Sequence, residues 1–97
     1  MSQEYVLKLY VNGSNLSSEL ALRRLEEIIS QSTEFNIKLE IIDVREHPQL
    51  AEDDQILAVP TLVKKLPLPV RKIIGDLSSK DKVLLGLNIV LRTKIAL

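Results

Sequence analysis

The 97-residue chain contains no cysteine and only one histidine, His47. Without cysteine it cannot form a disulfide, present a thiolate nucleophile or build a cysteine-based zinc site. His47 precedes a proline in a predicted loop, and there is no second histidine with which it could bind zinc. The consecutive acids Glu52, Asp53 and Asp54 point around a predicted helix instead of converging, which favours a solvated helix face over a cation site. We therefore expect no enzymatic activity and no cofactor.

Long apolar runs and a basic leader are also missing. No stretch approaches the roughly 18 apolar residues of a membrane span. Residues 1–4 carry no positive charge ahead of an apolar segment, as a signal peptide would. Apolar residues make up 45% of the chain, which suits a folded core. These features predict one domain over residues 1–97, soluble and cytoplasmic, with no membrane partner.

The net charge of zero conceals an uneven distribution. Residues 1–60 hold 11 acidic and 5 basic side chains (−6), whereas residues 61–97 hold 2 acidic and 8 basic ones (+6). The division is consistent with a solvated surface, or with self-association or an acidic partner. The basic residues 64, 65, 71 and 72 lack the interleaved aromatics that stack on bases, so we expect no nucleic-acid partner.

The first half of the chain predicts a βαβ unit. Residues 5–11 are rich in β-branched and aromatic side chains, as in a strand buried on both faces. Ser17 or Ser18 is expected to cap an amphipathic helix that ends near Ser30. Residues 37–44 alternate as a second strand, which is expected to run parallel to the first.

The second half predicts three further elements. Pro48 suits the first turn of a short helix that covers residues 49–57. Residues 70–75 resemble a short strand. Ser78 is expected to cap a final segment that runs from residue 79 to about residue 94.

This final segment fits two periodic patterns. As a helix it forms one apolar stripe, and as a strand it forms an unbroken apolar face; the stripe is Val83, Leu84, Leu87, Val90 and Leu91, and the face is Val83, Leu85, Leu87, Ile89 and Leu91. Gly86 costs about 1 kcal/mol inside a helix, and Asn88 is unfavourable in both states. The segment is either a helix with one tolerated glycine or a sequence poised between two states.

Three prolines precede this segment. The peptide bonds before Pro60, Pro67 and Pro69 can each be cis or trans, and the two isomers interconvert slowly. They are consistent with a surface loop of three trans prolines, or with a region that rearranges.

Several blocks of the sequence are similar to the KaiB family. The resemblance covers about residues 5–91 and rests on Tyr5-Val-Leu-Lys-Leu-Tyr-Val11, Pro48-Gln-Leu-Ala-Glu52, Pro60-Thr-Leu62, Pro69-Val-Arg71 and Ile73-Ile-Gly-Asp-Leu-Ser78. It implies an α/β protein with two folds. The free ground state is a tetramer of element order βαββααβ, and the rarer form is a thioredoxin-like monomer of order βαβαββα.

The resemblance also implies a function and partners. KaiB proteins have no enzymatic activity, and the thioredoxin-like form binds the KaiC ATPase, then sequesters KaiA, competes with the histidine kinase SasA and recruits CikA. The expected partners are therefore a KaiC-like ATPase, a KaiA or SasA/CikA-type protein, and further copies of this chain in a dimer or tetramer. A circadian clock and a clock-derived stress response both fit.

The matching positions nominate site residues. The nominated partner-binding residues are Lys64, Arg71 and Lys72. Lys64 matches a basic position of the KaiC-facing surface, Arg71 keeps the arginine of the family's Pro-Val-Arg block, and Lys72 replaces an arginine and retains its charge. The fold-switch positions are Pro60, Pro67, Pro69, Gly86 and Asn88.

Two other functions stay open. The chain could act as a sensor module on a separate histidine kinase. A thioredoxin-like oxidoreductase is the least favoured, because Asn12-Gly13-Ser14-Asn15 stands where thioredoxins carry their cysteine pair, just after the first strand.

Overall fold

A computed structural model describes residues 4–13 and 15–88. Their elements are β1 (Glu4–Val11), α1 (Leu16–Gln31), β2 (Asn36–Asp43), α2 (Pro48–Asp53), β3 (Thr61–Leu66), β4 (Arg71–Ile74) and α3 (Lys80–Leu87). This order, βαβαββα, is the thioredoxin-like one of the two expected orders. The structure does not have the ground-state order βαββααβ. The C-terminal segment, which would be the last strand in that order, forms helix α3.

The strands form one sheet of order β2-β1-β3-β4. Strands β1 and β2 are parallel, as predicted, with Leu9 opposite Ile41. Strand β3 is antiparallel to both β1 and β4. Strand β1 is therefore central and largely buried, while β2 and β4 are the two edges.

Helices cover both faces of the sheet. One face carries α1 and α3, and its buried core is Tyr5, Leu7, Leu9, Val11, Ala21, Leu25, Ile28, Leu62, Leu77, Val83 and Leu87. The other face carries the short helix α2 over a smaller cluster of Tyr10, Ile42 and Val63. Because α2 has only six residues, it covers its face of the sheet incompletely.

The helix caps differ from the prediction by a few residues. The side chain of Asn15, not Ser17 or Ser18, caps α1 by accepting a hydrogen bond from the Ser18 amide at 2.8 Å. The Ser18 hydroxyl is buried and instead accepts from the Asn12 amide at 3.2 Å. Several polar side chains lie within one turn of this end, and only the path of the chain decides which one reaches a free amide.

The last two helices also differ at their ends. Ser79, not Ser78, caps α3. Helix α2 has Pro48 in its first turn as predicted, but it begins at Pro48 instead of residue 49 and ends at Asp53 instead of residue 57. Ser14 of the predicted turn, the predicted extension of the last segment to residue 94, and its stripe positions 89–91 lie outside the described residues.

Candidate functional site

The exposed edge of the sheet carries two of the three basic residues that the sequence nominates. Arg71 and Lys72 are adjacent on β4, and both are exposed. Lys72 lies opposite Val63 and Arg71 lies opposite Lys64 in the ladder with β3. Since side chains alternate along a strand, Lys72 lies on the face of α2 and Arg71 on the face of α1 and α3.

Lys64, the third nominated residue, is buried. It lies on β3 opposite Leu7 of the central strand, and only 2% of its surface is exposed. Its neighbours across the sheet are Leu7 on one side and the like-charged Arg71 on the other. The structure thus brings Lys64 and Arg71 together and separates both from Lys72.

On the α2 face, Lys72 is held next to a polar network. The Lys72 ammonium donates to the Gln55 carbonyl at 3.3 Å, just beyond the end of α2. Close by, Asp54 accepts hydrogen bonds from Lys65 and from the hydroxyl of the buried Tyr10. This network joins β1, β3 and the end of α2.

These contacts change the acidity of two groups in the network. Burial by itself would raise the pKa of Asp54, but the hydrogen bonds from Lys65 and Tyr10 outweigh it and hold the pKa below its usual value. Burial and the neighbouring Asp54 carboxylate raise the pKa of Tyr10. Asp54 is therefore a paired structural carboxylate, and the prediction that residues 52–54 form a solvated face is wrong for this residue.

The nominated fold-switch residues lie around β3, β4 and α3. Pro60 directly precedes β3, and its carbonyl accepts from the Gly75 amide at 3.0 Å. Pro67 and Pro69 lie in the turn between β3 and β4, and the peptide bonds before all three prolines are cis. Gly86 faces Ile73 of β4, and Asn88 ends α3.

A further polar cluster occupies the position of the absent redox pair. The Asp43 carboxylate accepts from the Gly13 amide at 3.1 Å and from the Arg45 guanidinium at 2.9 Å. Gly13 has a left-handed φ of 55°, and the guanidinium lies against it so closely that a Cβ would overlap it. The sequence reasoning missed this cluster; the Asp-x-Arg spacing after a predicted strand was its one available signal. The cluster stabilises the loop and holds no thiol.

Within the described residues, no group of three or more His, Asp or Glu side chains is placed to hold a metal ion. None of the described helices is long and apolar enough to cross a membrane.

Comparison with known sequences places the chain in a family. The KaiB domain model matches residues 8–89. The circadian clock oscillator protein KaiB of Trichodesmium erythraeum (strain IMS101) is 55% identical over 89 residues, which are 92% of this chain and 86% of that protein. The protein of the same name from Nostoc punctiforme is 56% identical over 85 residues, 88% of this chain and 82% of that protein.

Comparison with solved structures agrees on the fold. The N-terminal domain of Synechococcus elongatus SasA superposes with a TM-score of 0.72 at 24% identity, covering 91% of this chain and 87% of that domain. Oxidized mitochondrial thioredoxin 3 of Saccharomyces cerevisiae gives a TM-score of 0.72 at 18% identity, covering 89% and 78%. The fold is thus thioredoxin-like, and with the family match over residues 8–89 it follows that the chain belongs to the KaiB family, whose clock proteins are regulators and not enzymes.

Proposed function

We propose that this chain is a non-enzymatic regulator that binds a KaiC-like ATPase and modulates its phosphorylation cycle. The carrying observation is the β4 edge, where Arg71 and Lys72 are consecutive exposed residues on opposite faces of a strand whose outer side has no neighbour among the described strands. The clock proteins named above support the regulatory role, since they match this chain over most of its length.

The arrangement suits a partner with an acidic surface. An edge strand offers free backbone donors and acceptors to a partner. The two cations on its opposite faces favour a partner with negative charge at the matching positions. Lys64 lies opposite Arg71 on β3, one strand in from the edge, and is buried, so we expect it to act on a partner only through Arg71.

The direct test is complex formation with the KaiC-like ATPase of the same organism. Unphosphorylated and phosphorylated ATPase are each incubated with the chain for hours, and the mixtures are analysed by size-exclusion chromatography with light scattering. We expect a stable complex with at least one phosphoform. The absence of a complex with every phosphoform would refute the proposal.

Variants locate the contact. Arg71→Ala and Lys72→Ala should each weaken the complex several-fold and reduce its sensitivity to salt, because each removes a charge at the edge. Arg23→Ala, which removes an exposed cation on α1, is the matched control and should bind as the parent chain does. Equal binding by all three variants would exclude the β4 edge.

A second part of the proposal concerns the nominated fold-switch positions. We propose that residues 60–88 exchange between the observed arrangement and one in which the last segment is a strand. Gly86 supports this, because it weakens a helix whose sequence also fits a strand. Two-dimensional NMR of Ile73→Val and of the double variant Ile73→Val, Gly86→Ala should each show a second set of peaks for residues 60–88, and its intensity should differ between the two, because Ile73→Val relieves the contact that a Cβ at residue 86 would make. A single set with unchanged positions outside the mutated turn would contradict it.

The structural likeness to the SasA domain suggests one additional measurement. If the two share a binding surface on the ATPase, an isolated SasA-type domain should displace this chain in a competition titration. Simultaneous binding of both would separate their sites and favour action on a separate kinase partner.

A further inference from the structure

The loop that follows β1 contains an asparagine directly before a glycine. The asparagines of the sequence are at positions 12, 15, 36 and 88, and only Asn12 is followed by glycine; the others precede leucine or isoleucine. Asparagine is a thermally labile residue, because the backbone nitrogen of the next residue can attack its side-chain amide. Glycine crowds this approach least, since it has no Cβ. Asn12 is therefore the asparagine with the highest intrinsic reactivity.

The side chain of Asn12 is open to reaction. It is exposed, and among the residues that the structure describes it forms no hydrogen bond. Asn15 differs, because its side-chain oxygen caps α1 by accepting from the Ser18 amide at 2.8 Å. No contact of its own therefore withdraws the Asn12 carboxamide from attack.

The attacking group, the backbone nitrogen of Gly13, is blocked. Its N–H donates to the Asp43 carboxylate at 3.1 Å. The nitrogen attacks only after it has lost this proton, and a neighbouring carboxylate disfavours the negative charge that deprotonation creates. The Arg45 guanidinium donates to the same carboxylate at 2.9 Å and lies so close to Gly13 that a Cβ there would overlap it. Asp43 and Arg45 thus protect the nitrogen together.

Hydrogen bonds also fix the backbone of Asn12. Its N–H donates to the buried Ser18 hydroxyl at 3.2 Å, and its carbonyl accepts from the Asn15 N–H at 3.3 Å. Ring closure between the Asn12 side chain and the Gly13 nitrogen requires rotation of this backbone, which the two bonds resist. The reaction therefore depends on local opening of the loop.

We propose that Asn12 is a site of spontaneous deamidation, which the contacts of Asp43 and Arg45 keep closed in the folded chain and which reacts when the loop after β1 opens. The Gly13 nitrogen gives its proton to water or hydroxide and forms a bond to Cγ of Asn12, and the side-chain nitrogen leaves as ammonia. The cyclic imide that results takes up a water molecule. Water opens either of its two C–N bonds, which gives aspartate or isoaspartate at position 12.

Both products change the connection between β1 and α1. Each adds a negative charge to a loop that already holds the Asp43 carboxylate, and isoaspartate also lengthens the backbone. Gly13 has no room to shift toward Arg45, because the guanidinium already lies against it. We therefore expect the modified chain to be less stable than the parent chain. Since the lost ammonia is not replaced, the modified fraction increases with the age of the molecule.

The first test compares the folded and the unfolded chain. The full chain is kept for weeks at neutral pH, either in buffer or in guanidinium chloride, and conversion at each asparagine is measured by peptide mass spectrometry. In the unfolded chain Asn12 should convert before the other asparagines. In the folded chain it should convert about tenfold or more slowly, because a hydrogen bond to a charged group must first break. Equal rates at Asn12 in the two states, or faster conversion of another asparagine in the unfolded chain, would overturn the proposal.

Variants test whether the two contacts provide the protection. Asp43→Ala removes the acceptor of the Gly13 N–H, and Arg45→Gln removes the guanidinium that covers Gly13. Both should speed conversion of the folded chain, Asp43→Ala the more strongly, and circular dichroism verifies that each variant folds. The control for lost stability is Asn88→Ala at the end of α3, where the Asn88 carbonyl accepts from the hydroxyl of Tyr5, near the start of β1. It should convert at the parental rate.

Unchanged rates in both loop variants, or the same acceleration in Asn88→Ala, would overturn the proposal. The measurement uses the chain alone and does not involve the ATPase, so failure here leaves the proposed function standing.

Discussion

Gly86 of α3 and Ile73 of β4 are in close contact: a Cβ on Gly86 would lie 2.8 Å from Cδ1 and 3.1 Å from Cγ1 of Ile73. The glycine therefore lets the helix approach the edge strand more closely than any other residue would. It weakens α3 by about 1 kcal/mol relative to alanine and improves its packing at the same time. The two effects act on the same pair of residues and can be separated by mutation.

We expect Gly86→Ala to change the free energy of unfolding little in the parent chain. Alanine gains about 1 kcal/mol of helix propensity, but Ile73 must leave its rotamer at a comparable cost of roughly 0.5–1.5 kcal/mol. In the background of Ile73→Val, which removes Cδ1, the same change should stabilise the fold by about 1 kcal/mol. A double-mutant cycle in urea measures the difference. Equal effects of Gly86→Ala in the two backgrounds would show that the contact between residues 86 and 73 does not affect the free energy of unfolding.

Asn88 ends α3 in the left-handed conformation with φ of 57°, and its backbone N–H donates to the carbonyls of Leu84 and Leu85. Asn88→Ala should lower the free energy of unfolding by about 1–2 kcal/mol, because alanine resists this conformation. Asn88→Gly should cost nothing or stabilise slightly. Hydrogen exchange at the α3 amides reports the change locally. If both variants lost the same stability, the asparagine side chain and not its backbone would be the reason.

The hydroxyl of Tyr10 has one proton to donate and two acceptors within reach, the Asp54 carboxylate and, at 3.2 Å, the Leu50 carbonyl of α2. Tyr10→Phe leaves the ring in the core and removes the hydrogen bond to a carboxylate, so we expect a loss of about 1–2 kcal/mol in chemical denaturation. Tyr5→Phe is the matched control, since the Tyr5 hydroxyl makes one bond, to the Asn88 carbonyl at 3.0 Å. It should cost less than Tyr10→Phe.

The same network predicts a dependence of stability on pH. The pKa of Asp54 is lower in the folded chain than its ordinary value of 3.8, so the unfolded chain binds the proton more tightly. The resulting stability is present above about pH 4 and is lost as the pH falls through the folded pKa. Asp54→Asn should flatten this part of the stability profile. A profile of unchanged slope would assign the acid sensitivity to other carboxylates.

The Asp43 carboxylate is expected to stay ionised at a lower pH than an ordinary aspartate does. Hydrogen bonds from Arg45 are the main cause, with the Gly13 amide contributing, and they lower the pKa of Asp43 to about 2. A carboxyl-carbon NMR titration should show this value in the parent chain and a value closer to 3.8 in Arg45→Gln. Lys38→Gln, at a cation paired with Glu4 on the edge of the sheet, should leave the Asp43 titration unchanged. Titration near 3.8 in the parent chain would contradict the proposed cluster.

The elements of this protein could be predicted because their patterns are local. The alternation of residues 37–44 and the apolar stripe of α1 each follow from one sheet face or one helix face meeting the core. Caps were predicted less well: at the starts of α1 and α3 two or more candidate side chains lie within a few residues. The one that caps depends on the chain direction at that point, which no local pattern records.

The site could be predicted only in part. The sequence identifies Arg71 and Lys72 as adjacent cations on a strand, and strand alternation already separates them onto two faces. It cannot show that Lys64 is buried beside the central strand, because burial depends on which strands flank β3. Nor can it show that Asp54 pairs with Lys65 and Tyr10, three residues from three elements.

The sequence alone determined the family, the absence of thiol chemistry and the alternation of strands and helices, since these depend on residue identity and local spacing. It also left the last segment with two acceptable patterns. Only the tertiary structure decided between them for residues 80–87, where a helix buries Val83 and Leu87 in the core shared with α1 and brings Gly86 against Ile73 of β4. Hydrophobic periodicity by itself fits both a helix and a strand here, and long-range contacts of this kind select the helix.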